Sequence, residues 1–373
     1  MSSQTEEFTI GVEEEYQIIN PVNRELHSRV EYILPKAQKV LGKEVQPEAQ
    51  RSQIEIGTPI CRTLTEVRSE LVRLRREVIA AAAKDGNQIA AAGTHPFSHW
   101  EEQQLTPKER YLGLMQDYQQ LTRELVIFGC HVHVGISDRE LAIYIMNRAR
   151  VWLAPLLALA ASSPFWLGTD TGYASYRTEI WTRWPLSGSP LLFESLAEYE
   201  RLVQALVATK SIEDATKIYW DVRLSERFPT LEFRITDVCQ TVDEAVMIAG
   251  LVRALVRTCY QQAMRDEPFP AVRHELIRTS HWRAARYGLE EDLIDVGLMK
   301  AVPARELVES FLAFLRPSLE EYGEWEEISS LVHETMQRGT GATRQREVYQ
   351  RTGRLEDVVD LIVQDTAKGI ASV

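Results

Sequence analysis

Gly129-Cys-His-Val-His-Val-Gly135 is the stretch whose reading decides the fold. Cys130, Val132 and Val134 alternate with His131 and His133, and side chains two apart on an extended strand share one face. The segment therefore reads as a strand with one apolar face and one imidazole face. Three other stretches alternate in the same way. In residues 8–19, Phe8, Ile10, Val12, Tyr16 and Ile18 are separated by positions that include Glu13, Glu15 and Gln17. In Gln53-Ile-Glu-Ile-Gly57, Ile54 and Ile56 flank Glu55, and in residues 231–236 Leu231, Phe233 and Ile235 alternate with Glu232 and Arg234. A half-solvated antiparallel sheet also alternates, but its wet face usually carries Thr, Ser and Lys. Here that face carries Glu, His and Arg, which bind metals and tune proton chemistry, so the strands point to a shared site. Glu14 breaks the pattern: it falls on the apolar side and requires a bulge, a partner or an edge position.

The composition bounds what surrounds these strands. With 373 residues, 45% of them hydrophobic, the chain can build one large domain or two ordinary ones. Glu6, Glu7 and Glu13 to Glu15 argue against a secretory signal or a transit peptide. The most apolar run, residues 151–167, is interrupted by Pro155 and by Ser162-Ser163-Pro164, too soon to span a membrane. Four scattered cysteines (Cys61, Cys130, Cys239, Cys259) without a C-x-x-C suit reduced thiols in the cytoplasm. A net charge of −12 argues against a nucleic-acid surface, so a nucleotide site would need metal or clustered arginines to offset the field.

Thr63-Leu-Thr-Glu66 has the form of a capping box opening a helix to Lys84, with Gly86 and Asn87 as its stop. Periodic apolar positions predict further helices over residues 107–127, 138–161, 194–210, 242–265 and 355–366. Residues 163–190, punctuated by Gly, Ser and Pro, read as a long connection whose aromatics, Arg177 and Arg183 mark it as functional.

Several carboxylates converging without a cysteine suit a hard divalent cation, and magnesium commonly takes a few carboxylates plus phosphate oxygens. The H-x-H pair also occurs in zinc hydrolases and in plain strands, so either histidine alone reads equally as structural or as a ligand. Carboxylates on the neighbouring strands favour His131 as a ligand. Arg177, Arg183, Arg223 and Arg234 supply the anion side, as do Arg344 and Arg346 after the turn Gly339-Thr-Gly-Ala342. That turn is neither a Walker motif nor a dinucleotide fingerprint.

With these motifs the chain resembles the glutamate-cysteine ligases of the second type and the similar carboxylate-amine ligases. The likeness runs from about Phe8 to Arg351, through Gly11-Val-Glu-Glu-Glu-Tyr16, the strand motifs above, Trp181-Thr-Arg-Trp-Pro185, Trp220-Asp-Val-Arg223 and Gly339-Thr-Gly-Ala-Thr-Arg-Gln-Arg346. It implies an α+β, glutamine synthetase-like fold: a curved antiparallel sheet forming a funnel, helices on its outer face, and one catalytic domain over residues 1–373. It also implies ATP with Mg2+, or Mn2+ in its place. Glu13, Glu15, Glu55, His131 and Glu232 match metal ligands, and Glu48 stands where many relatives have aspartate. Glu55, Glu232 and Arg234 would be catalytic, Arg234, Arg344 and Arg346 would hold nucleotide, and His133 and Arg177 would hold substrate. The implied reaction activates a carboxylate, the gamma-carboxylate of glutamate, as an acyl phosphate and joins it to an amine such as cysteine. No protein nucleophile is needed, and no Ser/His or Cys/His arrangement is recognisable. The alternatives are a metal-dependent hydrolase built on His131 and His133, and a catalytically silent nucleotide binder. The partners expected are small molecules, with neither nucleic acid nor membrane, and a homodimer is the default assembly.

Overall fold

The four alternating segments all become strands of one antiparallel sheet in the computed structural model, which describes residues 8–269 and 271–370. Its seven strands are β1 (Ile10–Ile19), β2 (Val45–Pro47), β3 (Gln53–Gly57), β4 (Gln88–Ala90), β5 (Gly129–Gly135), β6 (Val222–Leu224) and β7 (Thr230–Asp237). They run in the order β6-β7-β5-β1-β3-β2, with β4 also pairing β1. Register decides what meets on the polar face. Glu13 lies opposite His131, Glu15 opposite Glu55, His133 opposite Glu232, and Glu232 opposite Arg223. Directly opposed residues sit ~4.5–5.5 Å apart at Cβ, so the charges interleaved along each strand are stacked into one cluster.

The other face is dry. Val12, Ile18, Ile54, Ile56, Val132, Val134, Leu231 and Phe233 are buried there, with helices Leu64–Ala83 and Val242–Met264 packed over β1 and β5. Glu14, the exception on this face, is fully buried and resolved by a partner. Arg75 of helix Leu64–Ala83 grips it with two hydrogen bonds (Nη2 to Oε1 2.5 Å, Nε to Oε2 3.0 Å), and the Tyr16 hydroxyl donates to it at 2.5 Å. Arg75 donates its remaining N–H groups to the carbonyls of Cys239 and Gln240, both at 2.9 Å, and of Thr366 at 3.5 Å, so all five are used.

Helix Leu64–Ala83 starts as its sequence predicts, with the Thr63 hydroxyl accepting from the Glu66 N–H at 3.1 Å. The Glu66 carboxylate reaches back one residue further than in a reciprocal box, accepting from the Arg62 N–H. Two expected helices are broken. Residues 107–127 form Glu109–Tyr118 and Gln120–Arg123, separated by Gln119 at φ +47°. Residues 138–161 form Arg139–Ala149 and Leu153–Ala160 around a 3-10 turn at Arg150–Trp152. Pro155 favours that break: it has no N–H for a helical bond to Val151 and sits most easily in a first turn, although Pro317 is carried inside helix Ala304–Tyr322. The stretch 163–190 is not a structureless loop, because it contains helix Tyr176–Trp181. The four cysteines are buried and unpaired with one another by disulfides. Among the described residues no helix is long and apolar enough to cross a membrane.

Candidate functional site

A cavity of about 210 Å³ opens on the polar face, lined by Glu13, Glu15, Glu48, Glu55, His131 and Glu232 among others. Its charges divide into two groups. On the β5–β7 side every carboxylate has a counter-charge. Glu13 lies 3.4 Å from His131 Nδ1 and 3.5 Å from His133 Nε2. Burial pushes its pKa up, but the hydrogen bonds of His131 and His133 and the charge His133 can carry outweigh this and hold it well below the carboxylate range. Glu232 accepts from Arg223 at 2.9 and 3.1 Å and also from Arg234. Against the upward push of burial, these guanidinium groups keep it ionised far below its ordinary value. His131 is driven down to about 4 by burial and by Arg234, so it is a neutral imidazole at neutral pH. Ligand atoms of Glu13, His133 and Glu232 fall within 4.8 Å of one another, close enough to share a cation.

On the β1–β3 side carboxylates face carboxylates. Burial and then Glu48 raise Glu15 to about 7, although Arg177, Arg234 and the Gly129 N–H, which donates at 2.6 Å, pull the other way. Burial, Glu13, Glu48 and Glu15 together push Glu55 well above its usual range. Glu48, on the loop after β2, is held by the Tyr111 hydroxyl at 3.0 Å. Buried like charges of this kind either take up protons or neutralise a bound cation. An oxygen-rich set of five carboxylates with an imidazole and no thiolate fits magnesium or manganese.

A second chamber of about 80 Å³ adjoins this one, with Arg177, Arg234, Trp181, Trp184 and Tyr219 in its wall. Arg177 comes from helix Tyr176–Trp181 and is placed by an irregularity in β7. The register of β7 against β5 shifts between Phe233 and Thr236, and the carbonyls of Arg234 and Ile235 in that interval accept from Arg177 at 3.1 and 3.4 Å. Behind it, 3.9 Å away, stands the buried carboxylate of Asp237, itself fixed by the Ser162 N–H and the hydroxyls of Ser163 and Ser175. Arg177 Nε, Arg234 Nε, Trp181 Nε1 and Trp184 Nε1 are all buried without an acceptor. Four orphaned donors around one chamber is a demand for an anionic or acceptor-rich ligand, since each costs about 1–3 kcal/mol unpaired.

The structure thus brings together Glu13, Glu15, Glu48, Glu55, His131, His133, Arg177, Glu232 and Arg234. Arg344 and Arg346 are not among the residues lining either chamber. Arg344 is saturated by Glu244 at 2.9 Å, Asp365 at 3.2 Å and Gln240 at 2.9 Å. Arg346 pairs with Asp170 at 2.7 Å. A guanidinium already neutralised by carboxylates has little left for a phosphate. Tyr111, Asp237 and Tyr219 escaped the sequence reading, because a tyrosine in a helix and an aspartate at a strand end carry no local signature of what they face.

The sequence profile of glutamate-cysteine ligase family 2 (GCS2) matches residues 9–361. The chain belongs to this family. A relative from Herpetosiphon aurantiacus, named "Putative glutamate–cysteine ligase 2", is 43% identical over 97% of this chain and 94% of its own. One of the same name from Solibacter usitatus is 41% identical over 99% and 96%. Among solved structures, the Francisella tularensis glutamate–cysteine ligase in complex with AMP superposes with a TM-score of 0.69 at 12% identity, covering 98% of this chain and 90% of that one. A bifunctional glutathione synthetase from Pasteurella multocida gives 0.67 at 17% identity, covering 97% of this chain and 53% of that one. At such identities the likeness establishes the shared fold, an α+β architecture of antiparallel sheet and covering helices.

Proposed function

We propose that this GCS2 chain is an ATP-dependent, ADP-forming carboxylate-amine ligase that acts on the gamma-carboxylate of glutamate and an amine such as cysteine, with residues 1–373 serving as one catalytic domain. The observation that carries this reading is the junction of the two chambers. A carboxylate cluster suited to magnesium meets the paired guanidinium groups of Arg177 and Arg234, each with a buried N–H awaiting an acceptor. Such a junction suits a gamma-phosphate and an incoming carboxylate held together. Glu13, Glu15, Glu48, Glu55, His131 and Glu232 would hold the metal, which when bound supplies charge neutralisation on the phosphoryl oxygens.

The chain's own groups do the rest. Arg234, anchored on Glu232, would neutralise the charge that develops on the transferred phosphoryl group. Arg177, clamped by two carbonyls, orients the attacking carboxylate. The aromatic wall of Trp181, Trp184 and Tyr219 excludes water, which protects an acyl phosphate from hydrolysis. His133, hydrogen-bonded to Thr230 at 3.0 Å, positions substrate from the far side of the cluster. Names of the relatives support glutamate and cysteine as substrates. Four buried free thiols fit the cytoplasm, and a homodimer is the expected assembly. The test is phosphate release from ATP across a matrix of carboxylates and amines. Release that needs magnesium, ATP and a carboxylate together supports the ligase; phosphate released from other esters without ATP returns the hydrolase reading.

A further inference from the structure

The segment Gly339-Thr-Gly-Ala-Thr-Arg-Gln-Arg346 lines neither chamber, yet Thr340, Gly341, Ala342 and Gln345 in it are buried. It opens helix Gly341–Thr352, and what that helix holds is the turn Ala161-Ser162-Ser163 that follows helix Leu153–Ala160. The Ala342 N–H donates to the Ala161 carbonyl at 2.9 Å, and the Gln345 side-chain amide donates to the Ser162 carbonyl at 2.8 Å. A Cβ at Gly341 would lie 2.9 Å from Ser162 Cβ and 2.6 Å from Gln240 Oε1, so a side chain there would push helix and turn apart. The apolar contact between the two segments is a cluster of three alanines, Ala161, Ala174 and Ala342. Alanines bury little surface and impose no direction, so the hydrogen bonds set where the turn sits.

The turn in turn holds Arg177 at both ends. Ser162 N–H and the Ser163 hydroxyl donate to Asp237 at 2.9 and 2.7 Å, and Asp237 stands 3.9 Å behind the Arg177 guanidinium. The same Ser163 hydroxyl accepts from the Arg177 backbone N–H at 3.1 Å. On the opposite side Asp237 cannot retreat: a Cβ at Gly93 would already lie 2.6 Å from its Cγ. Gln345, Ser162, Ser163, Asp237 and Arg177 are all buried, and a close-packed interior passes a displacement on instead of absorbing it. We propose that the Gly339–Arg346 segment is a brace for Arg177, and that Gln345 is a positioning residue for the attacking carboxylate, acting through Ser162, Ser163 and Asp237. Its catalytic meaning rests on the ligase reading above.

Gln345→Met tests the brace, since it keeps the length of the side chain and removes the N–H that holds the Ser162 carbonyl. KM for glutamate should rise about three- to tenfold, the range of one net hydrogen bond, while KM for magnesium-ATP stays within about twofold. In an Arg177→Lys background the same change should alter KM for glutamate by less than about twofold, because residues that act as one unit are not additive. Val348→Ala, buried on the same helix and not bonded to the turn, controls for lost stability and should leave both KM values within about twofold. The crystal structure of Gln345→Met should show the Arg177 guanidinium moved by more than about 0.5 Å. Should that variant not fold, Ser163→Ala carries the same expectations. An unmoved Arg177, an unchanged KM for glutamate in an active enzyme, effects that add in the double variant, or the same effects from Val348→Ala overturn the brace. A wild type without carboxylate-dependent ADP, with Arg177 still displaced in Gln345→Met, leaves the brace standing and removes its catalytic meaning together with the ligase reading.

Discussion

Gly129→Ala is a one-carbon perturbation whose effect can be worked out from the site. A Cβ at Gly129 would lie 2.6 Å from Arg177 Nη2 and 3.1 Å from His131 Nε2. The guanidinium has nowhere easy to go, because the carbonyls of Arg234 and Ile235 and the carboxylate of Asp237 fix it from behind. It must slide about an ångström or lose those bonds. A hydrogen bond to a charged group contributes about 1.5–3 kcal/mol, and 1.4 kcal/mol is tenfold, so kcat/KM for the carboxylate should fall roughly ten- to a hundredfold. Overpacking should cost ~1–3 kcal/mol of stability. Steady-state ADP production against carboxylate concentration, together with denaturant unfolding, reads both. Gly11→Ala is the control on the neighbouring strand, since its Cβ would meet only His133 Cβ at an ordinary 3.6 Å. A folded Gly129→Ala protein with kinetics matching Gly11→Ala would refute the role given to Arg177.

Glu55→Gln should abolish magnesium-dependent ADP production, and it should leave the melting temperature of the metal-free protein unchanged or higher, because it removes a repelled carboxylate; retained turnover in a metal titration counts against the cluster as the metal site. Arg75→Met leaves the Glu14 charge buried alone, a loss of about 3–5 kcal/mol; denaturant melts should show it, and Glu14→Gln on the same background should recover part of it. His95 accepts from the Ser98 N–H through Nδ1 and meets the Arg24 carbonyl through Nε2, an arrangement that needs the neutral ring. Burial lowers its pKa to about 3, below the ~6.5 of an unfolded histidine. As pH falls the unfolded chain takes the proton first, so this stability is complete above ~6.5 and declines by up to ~1.4 kcal/mol per pH unit towards 3. Unfolding free energies of wild type and His95→Gln at pH 7.5, 6.5 and 5.5 should diverge in slope accordingly.

The strands and their faces were legible because period two runs through most of β1, β3, β5 and β7 as an alternation of apolar and charged residues. Register turned that pattern into a site, and register is a long-range fact: nothing local to Glu13 says that His131 is its partner. Glu14 shows the boundary well. Its misfit with the apolar face was visible, but its solution, Arg75 sixty-one residues away, was not. Arg344 and Arg346 make the same point in reverse, since nothing local to them announces their ion pairs with Glu244, Asp365 and Asp170. The break at Arg150–Trp152 falls just before Pro155, but proline alone does not place it, since Pro317 lies inside helix Ala304–Tyr322.

The central claim is that Arg177, Arg234 and the carboxylate cluster assemble an acyl phosphate. Incubating the protein with ATP, magnesium, glutamate and hydroxylamine, with no other amine, tests it directly, and the account expects a hydroxamate in step with ADP, lost in Glu232→Gln and Arg234→Met. Metal- and ATP-binding protein that yields neither hydroxamate nor carboxylate-dependent ADP, with glutamate or across a panel of amino acids and small carboxylates, would contradict it.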